Sequence, residues 1–342
     1  MNVPSATVED RLVLERADQI TMKLMRWLWP KRIPLGAITT FAGVPGEGKS
    51  LVVADIISRV TRQHRFPDAE NPLEDPGEVL IVAGEDDTET ALVPRLEAAG
   101  ADRSRIHVVR AVALKSGLQS EREVRLDQDV QKIKDTLRDN PGIILVVIDP
   151  VTDSLGAVPM YKEQEIRSLL RPLRSKGMAV LLVAHLNKKE GLAAIFRVGG
   201  AGAFIGLARA SWLFATNRET RQRQMVPLKN NYSSRSTPGL VFEFEEVPVR
   251  IEGKDELVPR VKWLGESDVD ANDLLDAATL RADAKSAAVE FLKEILEGGP
   301  KEATAVKNAA KERGISERTL NRAKAAINIG SFKDGNKWMW RL

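Results

Sequence analysis

Eight residues of the N-terminal third have the spacing G-x-x-x-x-G-K-S, with an apolar run before them and another after them. Glycines allow backbone N–H groups to turn inward around an anion, and a following helix directs its positive end at the same point. A lysine at this position reaches the β- and γ-phosphates of a nucleotide, and the serine hydroxyl can bind Mg²⁺. The pattern therefore predicts a site for ATP and Mg²⁺, the alternative being a glycine-rich turn that binds nothing. The predicted nucleotide-binding residues are the eight of the pattern, Gly43, Val44, Pro45, Gly46, Glu47, Gly48, Lys49 and Ser50, together with Leu51.

Two acidic positions follow apolar runs that read as buried strands. GIILVVIDP ends with Asp149, at the end of the strand where α/β sheets bind their ligands. We expect Asp149 to hold the water shell of the metal; the alternative is an aspartate that starts a turn before Pro150. GEVLIVAGEDD ends with Glu85, Asp86 and Asp87. We expect Glu85 to be the base that activates water, the alternative being a helix N-cap, a role that suits Asp86 or Asp87 better.

A histidine ends a third apolar run, MAVLLVAHL. This residue, His185, is predicted to lie at the same sheet edge as Asp149 and Glu85. We expect it to contact the γ-phosphate, whereas a purely structural role is the alternative. His64 and His107 have no such context, and we expect them to be surface or structural residues.

The elements that must position these residues alternate along the chain. From Gly36 to about Leu186, apolar β-branched runs are separated by amphipathic segments, which predicts a parallel sheet covered by helices on both faces. After Ala210 come several closely spaced strand-like runs, which indicate an antiparallel extension. We therefore predict an α/β domain over residues 1–265, with a lead-in at 1–35 that its tryptophans anchor.

Composition limits the function classes. The chain has 342 residues and no cysteine, which excludes disulfides, thiolate catalysis and iron–sulfur clusters. No apolar run is long enough to span a bilayer, and no signal-peptide pattern is seen, so we expect a cytoplasmic protein without a membrane partner. The formal charge of +3 is uneven: from residue 281 to 342 there are 13 Lys/Arg against 8 Asp/Glu.

The motifs in this order resemble the RecA-like ATPases, and within them the RepA-type hexameric replicative helicases of plasmids and phages. The matching segments are RWLWPKRIPLGAITTFAGVPGEGKS, VLIVAGEDD, ILVVIDPVTD, VLLVAHLNK, GAGAFIGLARASWLF and VPLKNN. The resemblance implies a RecA-like phosphate-loop core with a mostly parallel sheet. It also implies that Glu85 is the catalytic base, that Asp149 is the metal-side acid and that His185 senses the γ-phosphate.

Two further cations are implied by the same resemblance. Arg209, in GLARAS, matches an arginine that reaches the nucleotide of a neighbouring subunit, although it could instead pair with a carboxylate of its own subunit. Lys229, in VPLKNN, matches a lysine that DnaB-type helicases pair with an arginine. Here Asn231 stands where that arginine would be, so the charge acting in trans rests on Arg209 and Lys229.

A basic segment follows His185. LNKKEGLAAIFRVGG contains Lys188, Lys189 and Arg197, and in RecA-like rings the loop at this place meets single-stranded DNA in the central channel. Cations track phosphates, and the neighbouring Phe196 can stack on a base. The alternative is a solvated surface loop.

The C-terminal region predicts a separate small domain. Residues 266–283 are acidic and then alanine-rich, which suggests a linker. Residues 284–342 contain three helical segments and a hairpin, a pattern that resembles a winged helix-turn-helix. Arg318 and Arg322 lie one turn apart on its last helix and are candidates for DNA contact, whereas docking of another protein is the alternative.

These predictions support three readings of function. The first is a Mg²⁺-dependent ATPase that forms a hexamer or similar ring and acts on DNA as a replicative helicase, with a replication initiator or primase as a further partner. The second is a RecA-like ATP-dependent regulator or recombination-type ATPase that binds DNA without unwinding it. The third is a non-enzymatic DNA-binding adaptor whose phosphate loop only stabilises the fold.

Overall fold

The computed structural model describes residues 12–84, 87–113, 121–160, 162–175, 177–185, 202–217, 220–232, 237–271, 274, 287–335 and 337–342. The strands up to residue 267 are β1 (Trp27–Trp29), β2 (Ile33–Pro34), β3 (Ile38–Gly43), β4 (Glu78–Ala83), β5 (Ile106–Val109), β6 (Val112–Ala113), β7 (Glu121–Arg122), β8 (Ile143–Asp149), β9 (Ala179–His185), β10 (Ala210–Thr216), β11 (Arg223–Asn230), β12 (Gly239–Ile251) and β13 (Lys254–Ser267). The helices of the same region are α1 (Lys49–Arg62), α2 (Val93–Ala98), α3 (Leu126–Asp139), α4 (Glu163–Leu170) and α5 (Gly202–Leu207).

Nine of these strands form one sheet in the order β13-β12-β11-β10-β3-β9-β8-β4-β5. The six strands from β10 to β5 are parallel, and β11, β12 and β13 add to the edge in antiparallel fashion. The α/β prediction with a mostly parallel sheet is therefore confirmed. One detail differs: β10 is parallel to β3, so the antiparallel extension begins only at β11. The reason is that the chain crosses from β9 to the far side of β3 before β10 starts.

Strand alternation sends side chains to two apolar layers. In β8, Val146 and Ile148 belong to one core cluster, whereas Leu145 and Val147 belong to the other. Helices α3, α4 and α5 cover the first face, and α1 covers the second. Because both faces are buried, the central strands are continuous apolar runs, and polar groups are confined to their ends.

The lead-in is fastened to the sheet around a buried cation. Arg32 is fully buried, and its guanidinium lies 5.5 Å from the ring centre of Trp29 and 4.8 Å from that of Trp212. It donates to the carboxylate of Asp68 at 2.8 Å and to the carbonyl oxygen of Pro238 at 2.9 Å. Burial lowers the pKa of Arg32, and the bond to Asp68 opposes that shift. The two tryptophans and the ion pair thus join β1 to distant parts of the domain.

The C-terminal residues form a small module with its own core. It contains α6 (residues 287–296), β14 (Lys301–Glu302), α7 (Ala303–Glu312), α8 (Glu317–Ala326), β15 (Gly330–Asp334) and β16 (Lys337–Arg341). The three strands pair antiparallel in the order β14-β16-β15. Leu292, Val306, Leu320 and Trp340 are buried together. The hydroxyl of Ser316 accepts a hydrogen bond from the Thr319 N–H at 3.2 Å and caps α8, as its position before that helix predicts.

Part of the segment predicted as a linker is described. Ser267 is still the last residue of β13, and Ala271 and Leu274 are buried in the first core cluster. The described residues of this segment therefore pack on the large domain. Among the helices within the described ranges, none is long and apolar enough to cross a membrane.

Candidate nucleotide-binding site

The glycine-rich segment connects β3 to α1, and space as well as backbone conformation requires its glycines. A Cβ atom at Gly43 would lie 2.5 Å from the carbonyl oxygen of Phe214. Gly46 and Gly48 have φ values of +85° and +91°, in the region that side chains disfavour. A Cβ atom at Gly48 would also lie 2.7 Å from the ring of Phe244. The sequence predicted a strand, a loop and a helix here, and that order is found.

Two side chains fix the shape of this loop. The ammonium of Lys49, whose residue is 4% exposed, donates to the carbonyl oxygens of Gly43 at 2.8 Å and Val44 at 2.9 Å. The carboxylate of Glu47 accepts a hydrogen bond from the Thr216 hydroxyl at 2.6 Å. Glu47 therefore ties the loop to the end of β10, whereas Lys49 lies inside the loop, where a bound phosphate would be.

A cleft of about 290 Å³ lies in front of the loop. Lys49, Ser50, Asp149 and His185 all line it. They come together because β3, β9 and β8 are adjacent parallel strands whose carboxyl ends meet at one edge. The structure therefore brings together four of the residues that the sequence selected for chemistry. Pro45, Gly46, Gly48 and Leu51 line the same cleft.

The donor groups in this cleft fit Mg²⁺. The ion prefers oxygen ligands and is usually held by one or two protein groups together with substrate phosphates and water. A hydroxyl on Ser50 and a carboxylate on Asp149 are such groups, and both face the space beside the phosphate loop. Within the described ranges there is no group of three or more histidine or acidic side chains that could hold a metal ion.

The predicted base, Glu85, lies outside the described residues, but the strand that leads to it is described. Ala83, the last residue of β4, pairs with Asp149, and the N–H of Gly84 donates to the Asp149 carbonyl oxygen at 3.1 Å. The described chain before Glu85 therefore ends beside Asp149, the residue expected to be the metal-side acid. The capping role falls to Asp87, which accepts hydrogen bonds from the N–H groups of Glu89 and Thr90. The bonds to Thr90 lower the pKa of Asp87.

One cleft residue was missed in the sequence. Arg95, on the short helix α2, lines the cleft together with Ser50 and Asp149. A π-helical turn at Thr88–Leu92 precedes α2. Because a π-helical turn contains more residues than an α-helical one, it changes the direction of the side chains that follow, and an ideal α-helix counted from Asp87 does not direct Arg95 toward the sheet edge. Its cation adds positive charge to the part of the cleft that Ser50 and Asp149 line.

Arg209 and Lys229 lie away from this cleft within the subunit. Arg209 is exposed and precedes β10, whose first residue pairs with Thr39 near the start of β3, at the edge opposite the phosphate loop. The ammonium of Lys229 donates to the carbonyl oxygens of Ile205 and Gly206 at 3.0 and 3.1 Å, at the end of α5. Burial lowers the pKa of Lys229, and the nearby cations Arg209 and Arg167 lower it further.

The side chains of the candidate nucleic-acid contacts lie outside the described part of the chain. Lys188, Lys189 and Arg197 lie outside the described residues. Arg318 and Arg322 belong to α8, but their side chains are not among the described ones.

His107 bonds to Glu78 at 2.7 Å on the edge of the sheet, in line with the structural role expected for it.

The fold and the cleft define a phosphate-loop nucleotide-binding protein of the α/β class. A family model described as an AAA domain matches residues 5–191, more than half of the chain, and the chain belongs to that family. This membership supports nucleotide binding and ATP hydrolysis. No curated protein matches the chain at a significant level. The matched range contains the phosphate loop, Asp149 and His185, and it ends before Arg209 and Lys229.

Proposed function

We propose that the chain is a Mg²⁺-dependent ATPase that acts on DNA as a ring-shaped replicative helicase of the RepA type. The observation that carries the ATPase part is the single cleft lined by Lys49, Ser50, Asp149 and His185. The helicase part rests on the resemblance of the motifs to RecA-like rings. A replication initiator or a primase is the proposed protein partner of this activity.

The chemistry assigned to the cleft is in-line hydrolysis of the γ-phosphate. Loop amides and Lys49 bind the phosphates, and Glu85 orients and deprotonates the attacking water. When bound, Mg²⁺ neutralises charge that develops on the phosphate oxygens, and Ser50 and Asp149 are the residues that would hold it. His185, at the end of β9, contacts the γ-phosphate, and the loss of that phosphate is transmitted to the basic segment that follows His185 directly.

A ring is proposed because Arg209 lies away from the cleft of its own subunit. Arg209 is exposed at the sheet edge opposite its own phosphate loop, so it can reach a nucleotide only in a neighbouring copy. In that position it would stabilise charge on the transferred phosphoryl group. Single-stranded DNA would pass through the ring along Lys188, Lys189 and Arg197, and the C-terminal winged-helix-like module would offer Arg318 and Arg322 to duplex DNA.

A second candidate is an ATP-dependent DNA-binding regulator that does not unwind. One observation favours it: the Lys229 ammonium is held by two carbonyl oxygens of its own α5, and Asn231 replaces the arginine of related helicases. Because fewer cations would then be available to contact the nucleotide of a neighbouring subunit, ATP hydrolysis would be coupled more weakly between subunits.

Stimulation of hydrolysis by single-stranded DNA, measured together with displacement of a strand from a duplex, separates these candidates. We expect phosphate release to rise several-fold on addition of an oligonucleotide, and to lose that rise in a Lys188→Ala/Lys189→Ala/Arg197→Ala variant, because phosphate contacts supply most of such binding. Arg138→Ala, an exposed cation at the end of α3, serves as the matched control. Rates are measured over a range of salt, with ring size followed by mass measurement. A wild-type protein that DNA accelerates but that displaces no strand favours the regulator, and one that DNA never accelerates contradicts both DNA-linked roles.

A further inference from the structure

Trp338, on β16 of the C-terminal module, is the most exposed tryptophan of the protein. It is 58% exposed, whereas the other five tryptophans are buried or half-buried. An indole has a large apolar surface, and tryptophan is highly buried on average in folded proteins. Trp338 therefore presents an aromatic surface that the core of the module does not use.

The pairing of the hairpin β15-β16 places Trp338 on the face that packs against α8. Trp338 and Trp340 are two residues apart on one strand, so their side chains point to the same face. Trp340 is buried in the core of the module, and the ammonium of Lys324, on α8, lies 4.5 Å from its ring centre. Lys324 also donates to the hydroxyl of Ser331, the residue opposite Trp340. Helix α8 thus covers this face at Trp340, and Trp338 lies one step closer to the hairpin turn.

A lysine stands directly opposite Trp338 on the same face. Lys333 is the cross-strand partner of Trp338, and such partners have Cβ atoms roughly 5 Å apart. Both residues are exposed. Asp334, the acidic residue of the hairpin, follows Lys333 directly and therefore points to the opposite face. Near the turn, this face consequently combines an aromatic ring with a cation.

The ring of Trp338 differs from the other aromatic rings of the hairpin in its surroundings. Phe332 points to the opposite face, where the guanidinium of Arg341 lies 5.9 Å from its ring centre. Trp340 is covered by Lys324. Within the described part of the chain, no aromatic ring or cation stacks on Trp338. Its indole is therefore the one aromatic surface of the described hairpin residues that is available for a partner.

Charge indicates the chemistry of that partner. Lys324 adds a second cation to the face, and burial lowers its pKa, with the neighbouring cation Lys307 lowering it further. Lys307 pairs with Glu317, whereas Lys333 has no acidic partner among the residues that the structure describes. From residue 281 to 342 there are 13 Lys/Arg against 8 Asp/Glu. A polyanion with stackable bases matches both the cations and the indole, whereas an apolar protein surface matches the indole alone.

We propose that Trp338 and Lys333 form a subsite for single-stranded DNA, in which the indole stacks on an unpaired base and the ammonium contacts a phosphate. The inference rests on the proposed action on DNA and assigns part of the binding to a face outside the nucleotide cleft. Stacking on an aromatic ring is tolerant of base identity, because every base has a π-face. The subsite therefore binds single strands without reading their sequence.

The test separates the base from the phosphates. It uses the full chain with the substitutions Lys188→Ala/Lys189→Ala/Arg197→Ala, so that the basic segment after His185 contributes little, and it is done at low salt without ATP. The ligands are fluorescently labelled oligothymidylate and an oligomer of equal length made of abasic sites, and their dissociation constants are obtained from fluorescence anisotropy.

Two further substitutions in this background have different expected effects. Trp338→Ala should weaken oligothymidylate binding by about ten- to a hundredfold and leave binding of the abasic oligomer unchanged, because the indole contacts a base. Lys333→Gln should weaken binding of both oligomers by the same, smaller factor, because the ammonium contacts a phosphate.

Control variants keep the result interpretable. Trp338→Phe retains an aromatic ring and should bind oligothymidylate within about threefold of the background protein. Phe332→Leu changes the aromatic residue on the opposite face of the hairpin and should bind within about twofold of it. Because Trp338 is exposed, Trp338→Ala should unfold at the same urea concentration as the background protein.

The failure of the subsite and the failure of the proposed function can be told apart. Unchanged oligothymidylate affinity in Trp338→Ala, which a docking site for another protein predicts, overturns the subsite. An equal loss of affinity for the two oligomers in that variant also overturns it, because stacking on a base would then contribute nothing. A wild-type chain that shows the expected pattern of binding but hydrolyses no ATP overturns the proposed function and leaves the subsite standing.

Discussion

The Lys49→Ala variant should hydrolyse ATP about 10²–10³ times more slowly than the wild type, because one preorganised donor to the phosphoryl group is lost. The ammonium lies inside the loop, between the carbonyl oxygens of Gly43 and Val44, and within the described part of the chain it shares its cleft with Asp149 and His185. Phosphate release at saturating ATP is the measurement.

Arg62→Ala is the matched control for that variant. Arg62 is the exposed last residue of the same helix, at the end opposite the loop, and its removal should leave turnover within about twofold of the wild type. If both variants lose activity equally, the effect comes from destabilised α1 rather than from the phosphate site. If neither loses activity, phosphate binding by Lys49 is wrong.

The largest expected effect on stability comes from Arg32. Replacing it with methionine leaves the Asp68 carboxylate, whose side chain is 17% exposed, and the Pro238 carbonyl oxygen without their cationic partner. Removing one member of a buried ion pair costs about 3–5 kcal/mol, and we expect the lower end here because the Trp29 indole N–H still donates to Asp68 at 2.7 Å. Urea denaturation followed by tryptophan fluorescence gives the free energy of unfolding.

Two comparisons bracket the Arg32 result. Arg138→Met removes an exposed arginine that pairs with Asp135 at 2.8 Å, and it should change the free energy of unfolding by less than about 1 kcal/mol. Adding Asp68→Asn to Arg32→Met should recover part of the loss, because the buried unpaired charge is removed. A single variant as stable as the wild type would mean that the aromatic packing alone fastens the lead-in.

The part of the cleft at the carboxyl ends of the parallel strands could be predicted, because it depends on apolar runs in the sequence and on one rule of sheet topology. Gly43, Asp149 and His185 each end an apolar run, and parallel strands bring such ends to one edge. The runs had to be continuous because both faces of the sheet are buried. The prediction that these three strand ends meet required no knowledge of distances between residues far apart in the sequence.

The part of the cleft that Phe244 lines could not be predicted in the same way. Phe244 is some 200 residues from the loop in sequence, and the approach of its ring to Gly48 depends on the order of four strands at the sheet edge. Arg95 was missed because a π-helical turn alters the helical phase before it. Arg32 reads as a surface cation in sequence, since only the fold supplies the two tryptophans and Asp68 that make its burial favourable.

The central claim is that this cleft binds a nucleoside triphosphate and cleaves it with water oriented by Glu85. Its most direct test is phosphate release by the wild type and by Glu85→Gln, with ATP affinity measured on both proteins. The account predicts that the variant binds ATP as tightly as the wild type and turns it over at least about a hundredfold more slowly. Equal turnover by the two proteins, or a wild type that binds no ATP, would contradict it.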